Sequence, residues 1–83
     1  MSKAVQIKIR YFAVFREERG LSEEFLETTA ETVGELYDDL RAACHFRLDP
    51  QWVRAAVNGA YVSHDHPLAS GDEVVLIPPV AGG

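Results

Sequence analysis

The sequence has little from which to build a conventional active site. It holds one cysteine, Cys44, in 83 residues. Neither a disulfide nor a cysteine-based zinc site can form within the chain, which suits a reducing compartment. No run approaches the roughly 20 apolar residues of a membrane span. Met1-Ser2-Lys3-Ala4 leads into an alternating pattern and not an apolar stretch, so no signal peptide and a cytoplasmic location are expected. The six glycines are scattered and form no phosphate-cradling loop, so no intrinsic ATP site is expected. Bases are scarce: eight stand against thirteen acids, for a formal charge of −5, with no segregated basic patch. Nucleic acid would be repelled by such a surface. The length leaves room for one domain with a modest core.

What is present has clear periodicity. Val5, Ile7, Ile9 and Tyr11 alternate with Gln6, Lys8 and Arg10, which predicts a half-buried strand. Phe12 breaks the pattern, because it falls on the side of Lys8 and Arg10. Glu18-Arg19-Gly20 predicts a turn, and residues 22–29 a second strand, although Phe25 and Leu26 are adjacent. Thr32-Val33-Gly34-Glu35 is a capping box. Behind it Val33, Leu36, Tyr37, Leu40, Ala43 and Cys44 recur at helical spacing, predicting a helix over 33–45. Gly34 costs that helix about 1 kcal/mol relative to alanine. Arg54 to Asn58 reads as a short strand, Asn58-Gly59 as a hairpin turn, and Ala60-Tyr61-Val62 as its return. After turns at His66-Pro67-Leu68 and Ser70-Gly71-Asp72, the last strand is Glu73 to Ile77, with Val74 and Leu76 on one side. A right-handed crossover would set this strand parallel to the first, in the middle of a mixed sheet with the helix on one face. That is an α+β chain of the β-grasp, or ubiquitin-like, class: a domain over 1–77 and a tail over 78–83.

Several residues could carry chemistry. His64 and His66 would share a face on a strand and could bind a metal, but Pro67 argues for a loop and no third ligand is evident. No metal is expected. Cys44 could be a nucleophile, but it sits on the apolar helix face with no placed base, which fits a buried thiol better. Trp52 reads as a partial cap on the core. Nine acids gather between Glu17 and Asp39. They form either a solvated face or a surface that steers a basic partner.

The tail is the strongest candidate. Pro78-Pro79 cannot continue a ladder, since neither has an N–H, and would project a semi-rigid stem. Six residues beyond Ile77, at about 3.3–3.6 Å each, reach roughly 20 Å. Val80 and Ala81 continue the arm. Gly82 and Gly83, without side chains, could enter a narrow tunnel and let a reagent approach the terminal carbonyl. A C-terminal carboxyl, with a pKa of about 3.3–3.7, is an anion at neutral pH and a poor electrophile. It needs activation, for which ATP on a partner enzyme would serve. Phe12 and Ile77 both lie outward on their strands. If those strands are central neighbours, the two meet in an apolar patch. Either this patch is an interface or these are ordinary surface apolars.

These residues bring a family into view. Ile9-Arg10-Tyr11-Phe12-Ala13 with Arg16-Glu17, Thr32-Val33, Ala55-Ala56-Val57-Asn58, Asp65-His66-Pro67-Leu68, Gly71-Asp72-Glu73-Val74 and Pro78 to Gly83 resemble the small subunits of molybdopterin synthase. These are sulfur carriers of the ubiquitin-like superfamily. The resemblance spans essentially the whole chain and is most specific from Leu68 to Gly83. Cys44-His45-Phe46 at the helix end, and Tyr61 and Ile77, depart from the usual residues. The resemblance implies that Gly83 is adenylated by an E1-like activating enzyme with ATP, and then becomes a thiocarboxylate through a sulfur donor. It implies docking to a large synthase subunit, in a heterotetramer with two of each, with Tyr61 completing the patch beside Phe12 and Ile77. There sulfur passes to cyclic pyranopterin monophosphate, and the catalytic groups belong to the large subunit. Other clients remain open: thiamine thiazole, cysteine or tRNA thiolation. So do a protein modifier joined to lysines through Gly83, and a binding module with an idle tail.

Overall fold

The computed structural model describes residues 3–79. Val80, Ala81, Gly82 and Gly83 lie outside the described residues. The alternating segment forms β1 (Val5–Tyr11), with Ile7, Ile9 and Tyr11 buried as their spacing predicts. The next element was not legible: a six-residue helix, α1 (Val14–Arg19), replaces the plain connection expected before Gly20. One buried side chain, Phe15, anchors it. Two adjacent apolar residues, Val14 and Phe15, followed by four charged ones carry no helical period. The chain enters α1 through Ala13, at φ 50° and ψ −123°, a corner that favours glycine. The Phe15 N–H closes this turn on the Phe12 carbonyl at 3.1 Å. Gly20, at φ 81°, ends the helix where the turn was expected.

β2 (Glu23–Thr28) returns antiparallel to β1, and α2 (Val33–Cys44) follows. The Thr32 hydroxyl accepts from the Glu35 N–H at 3.2 Å, while the Glu35 carboxylate accepts from the Glu31 N–H at 3.3 Å. The box is therefore closed one residue upstream of its usual partner. α2 buries Val33, Leu36, Tyr37 and Leu40, with Cys44 half-buried beyond them. His45, at φ 58°, turns the chain so that Phe46 enters the core. There Phe46 meets Phe15 edge-on at 5.1 Å and Tyr11 at 5.9 Å. The Tyr37 hydroxyl donates to the Leu48 carbonyl at 2.7 Å, and burial pushes its pKa up to about 12.

A 3-10 turn (Pro50–Trp52) leads to β3 (Arg54–Val57), β4 (Ala60–Val62) and β5 (Glu73–Ile77). Asn58 at φ 52° and Gly59 at φ 88° make the expected tight hairpin. The sheet order is β2-β1-β5-β3-β4, with β5 parallel to β1 and every other pair antiparallel. This is the β-grasp, with α2 over the face that carries Ile9, Val74 and Leu76. Trp52, at the end of the 3-10 turn, does not cap the core: it is 57% exposed.

Gly34 has a structural reason. Its N–H donates to the His64 carbonyl at 2.8 Å, and a Cβ there would sit 3.1 Å from that oxygen. His64 is held from its other side as well, by a 2.7 Å bond between its Nε2 and the Val53 carbonyl. Gly34→Ala should therefore lose stability despite better helix propensity. Overpacking of roughly 1–3 kcal/mol, less a propensity gain of about 1 kcal/mol, leaves a net loss near 1 kcal/mol. Urea unfolding measures it, and a gain in stability would refute the tight approach.

Glu24 occupies the core-facing side of β2 opposite Ile9. Arg19 grips it with bonds of 2.7 and 2.9 Å, and the Tyr11 hydroxyl donates to it at 2.7 Å. The Arg19 bond holds the Glu24 carboxyl below its ordinary range; burial opposes this and the Tyr11 bond adds to it. Burial, then Glu24, push the Tyr11 phenol well above its ordinary value. A carboxyl held low in the folded state stabilises the fold above its unfolded pKa and loses that contribution as pH falls. Stability should decline from about pH 5 toward pH 3, and the decline should be shallower in Glu24→Gln. Thermal melts across that range test the difference.

Candidate functional site

The face of the sheet away from α2 is assembled by register. Arg10 pairs with Glu23 on one side and Val75 on the other; Val75 pairs with Ala56, and Ala56 with Tyr61. The row therefore runs Glu23-Arg10-Val75-Ala56-Tyr61 across all five strands. One step on, Ile77 faces Arg54. Tyr11 pairs with Leu76, so Phe12 follows alongside Ile77. Phe12 is 43% and Tyr61 75% exposed, and Ile77 is half-buried. The structure thus sets Phe12 and Ile77 at the same end of the two central strands. It sets Tyr61 two strands away, with Val75 and Ala56 between. Those two bridging residues were missed, because Val75 reads as one more apolar residue in a short strand and Ala56 is small. The register alone identifies them.

Part of the charge on this face is paired. The Lys8 ammonium lies 3.4 Å from Glu23 and 3.8 Å from Glu73, and Arg10 lies 3.8 Å from Glu23. These pairs are partly exposed and contribute little stability. The Arg10 guanidinium also sits over the Phe12 ring, 5.7 Å from its centroid, and so helps to orient it. Arg54 has no ion-pair partner among the described residues. The acids between Glu17 and Asp39 do not form one surface. Glu23 lies on this outer face, Glu24 on the core side, Glu17 and Glu18 on α1, and Glu35, Asp38 and Asp39 on α2.

β5 delivers the chain to the end of this patch. Pro78 is half-buried and Pro79 exposed. The arm thus starts beside Phe12 and Ile77, on the strand that lies third of five. Gly83 and Gly82, with Ala81 and Val80, lie outside the described residues.

The other candidates have structural work. The His66 carbonyl accepts the Val33 N–H at 3.1 Å and the His64 carbonyl accepts that of Gly34, so the segment between Ser63 and Leu68 satisfies the first amides of α2. The His64 ring is engaged by Val53. Among the described residues no group of three His, Cys, Asp or Glu is placed to hold a metal ion. Cys44 packs against the core, and burial pushes its thiol pKa up, away from reactivity. No described helix is long and apolar enough to cross a membrane.

Comparison with known proteins follows this geometry. The molybdopterin synthase sulfur carrier subunit of Escherichia coli (strain K12) is 39% identical over 80 residues, spanning 93% of this chain and 99% of that one. The protein of the same name from Chlamydomonas reinhardtii is 32% identical over 90 residues, spanning 95% and 100%. Among solved structures, H. volcanii small archaeal modifier protein 1 matches with a TM-score of 0.76 and 26% identity, covering 92% of this chain and 99% of that one. The description "ThiS family" fits residues 9–83, from the middle of β1 to the last glycine. A match of that extent, on a β-grasp body built strand by strand as above, means that the chain belongs to the ThiS family.

Proposed function

We propose that this chain is the sulfur carrier subunit of a molybdopterin synthase, with Gly83 as the reacting residue. The observation that carries the reading is the position of β5. It is a central strand, and it brings the chain out beside the apolar residues on the side of the sheet away from α2: Phe12, Val75 and Ile77, Ala56, and Tyr61. Two relatives above 30% identity bear the sulfur carrier name.

The chemistry follows from the terminus. The Gly83 carboxylate attacks the α-phosphate of ATP on an E1-like partner and releases pyrophosphate. A sulfur donor then displaces AMP and leaves a thiocarboxylate. Its sulfur is anionic and polarisable, a far better nucleophile than the oxygen it replaces. Gly82 keeps the approach clear, and Pro78, Pro79, Val80 and Ala81 supply reach. The outer face docks on the large subunit, two of each chain forming the assembly. There the sulfur passes to cyclic pyranopterin monophosphate, and the catalytic groups come from the large subunit. The carrier itself binds neither ATP nor metal, and works in the cytoplasm.

A second reading, a modifier joined to lysines, is favoured by the likeness to the H. volcanii protein. Intact-mass spectrometry separates the two. With the activating enzyme, ATP and a sulfur donor, one oxygen of Gly83 should exchange for sulfur, and the product should convert the pterin in the presence of the large subunit. Lysine-linked adducts without pterin conversion would favour the modifier, and a mass shift on Cys44 would sink both readings. Deleting Gly83 should abolish transfer and leave the melting temperature almost unchanged.

The patch has its own test. Phe12→Arg and Ile77→Arg should each weaken binding to the large subunit by at least about 30-fold, because a charge is buried without a partner at the contact. The monomer should lose no more than about 1 kcal/mol of stability. Unfolding of both variants, or unchanged binding, would remove the outer face from the site.

A further inference from the structure

The opposite edge of the sheet takes no part in the reading above. β2 is an edge strand and pairs only with β1. The Tyr11 N–H donates to the Ser22 carbonyl at 2.8 Å, so these two residues form a hydrogen-bonded pair. Counting by twos along the register, Ile9–Glu24, Ile7–Leu26 and Val5–Thr28 exchange bonds too. The alternate residues Phe25 and Glu27 therefore turn their N–H and C=O groups to the free edge. Beside that edge, between β2 and α2, runs a groove of about 330 Å³. Leu26, Ala43, Glu27 and Asp39 line it, over Leu36 and Leu40, which the core already buries. On the other face of the same strand Phe25 is 79% exposed. Adjacent Phe25 and Leu26 thus give this edge an apolar side chain on both faces.

Charge selects the occupant. β2 carries three acids and no base. Glu23 is matched by Lys8 and Glu24 by Arg19, whereas Glu27 and Asp39 have no ion-pair partner among the described residues. A second copy of this chain, paired edge to edge, would set these acids against each other. A basic segment would meet them favourably. We propose that the β2 edge and the β2–α2 groove form a second docking site. It takes an extended segment of a partner protein, added as a sixth strand, with apolar side chains at alternate positions and Lys or Arg at its flanks. The added backbone bonds to Phe25 and Glu27. Its inward side chains cover Leu26 and Ala43, and its outward ones lie beside Phe25. β4, with Tyr61, is the other edge of the sheet, so both surfaces can be occupied at once. The inference does not depend on the sulfur carrier reading.

The test uses the full chain, labelled with nitrogen-15, and a capped synthetic peptide of sequence Lys-Val-Thr-Val-Ile-Val-Lys. Saturable shift changes should map to β2 and the facing side of α2, and the Phe25 and Glu27 amides should gain hydrogen-exchange protection. Phe25→Pro removes an edge donor without touching the β1 ladder, and should weaken binding roughly fivefold, as one lost hydrogen bond would. The double variant Glu27→Lys, Asp39→Lys should reverse the preference, binding a Glu-flanked peptide better than the Lys-flanked one. Absence of saturable shifts, shifts centred on Tyr61 and Ile77, or equal binding of both peptides to the unaltered chain would each overturn the proposal. So would dimerisation of the chain through β2 in sedimentation. If Phe25→Pro does not fold, the charge-reversed pair and the exchange data decide the matter.

Discussion

β1 and β5 come from opposite ends of the chain and lie side by side, in parallel, at the centre of the sheet. Ile9, Val74 and Leu76 are fully buried along this seam. A parallel pair cannot be joined by a tight turn, so everything between must be a crossover. α2 serves as that crossover and covers the seam. Because β5 is central, its C-terminal end emerges amid the sheet and not at its margin. The end of β5 therefore has neighbours on both sides, Tyr11 of β1 beside Leu76 and Arg54 of β3 beside Ile77. Loss of the seam would remove the core and the geometry of the arm together.

The two faces divide the work. The inner face is nearly all hydrocarbon and aromatic ring, with Glu24 admitted only because Arg19 and Tyr11 meet it. The outer face has ion pairs among Lys8, Arg10, Glu23 and Glu73 beside a modest apolar strip. The link between layers is polar and local: backbone carbonyls of His64 and His66 close the first turn of α2. A motif of polar residues that looks like a ligand set in sequence is thus a clamp on a helix end.

How far the sequence could be read follows from the length of each pattern. β1, α2 and β5 were legible because each repeats its period several times, and a periodic stripe has one economical burial. Asn58-Gly59 was legible because the tight turn needs two positive φ values. α1 was not, since one anchor, Phe15, fixes no period. Trp52 was misplaced because its size suggests burial, while it sits exposed at the end of the short 3-10 turn. Phe12 and Ile77 could be placed on one face from alternation alone. Val75 and Ala56 could not be joined to them, because the pairing of β5 with β3 is a long-range fact that neither segment carries by itself. Gly34 looked like a weakness of the helix, and only the approach of His64 shows its use.

The end of the sheet is set more than once. Pro78 and Pro79 lack the amide needed to extend β5. Yet β3 begins at Arg54, opposite Ile77, and the chain before it turns away as Pro50–Trp52. On the other side β1 ends at Tyr11, opposite Leu76, and the chain leaves through Ala13 into α1. A β5 given ordinary amides would still find no neighbour on either flank to zip onto. The limit of the ladder is therefore redundant: three separate features enforce it, so it tolerates the failure of any one. The boundary between folded body and arm is protected against single substitutions in the way an engineer would duplicate a stop.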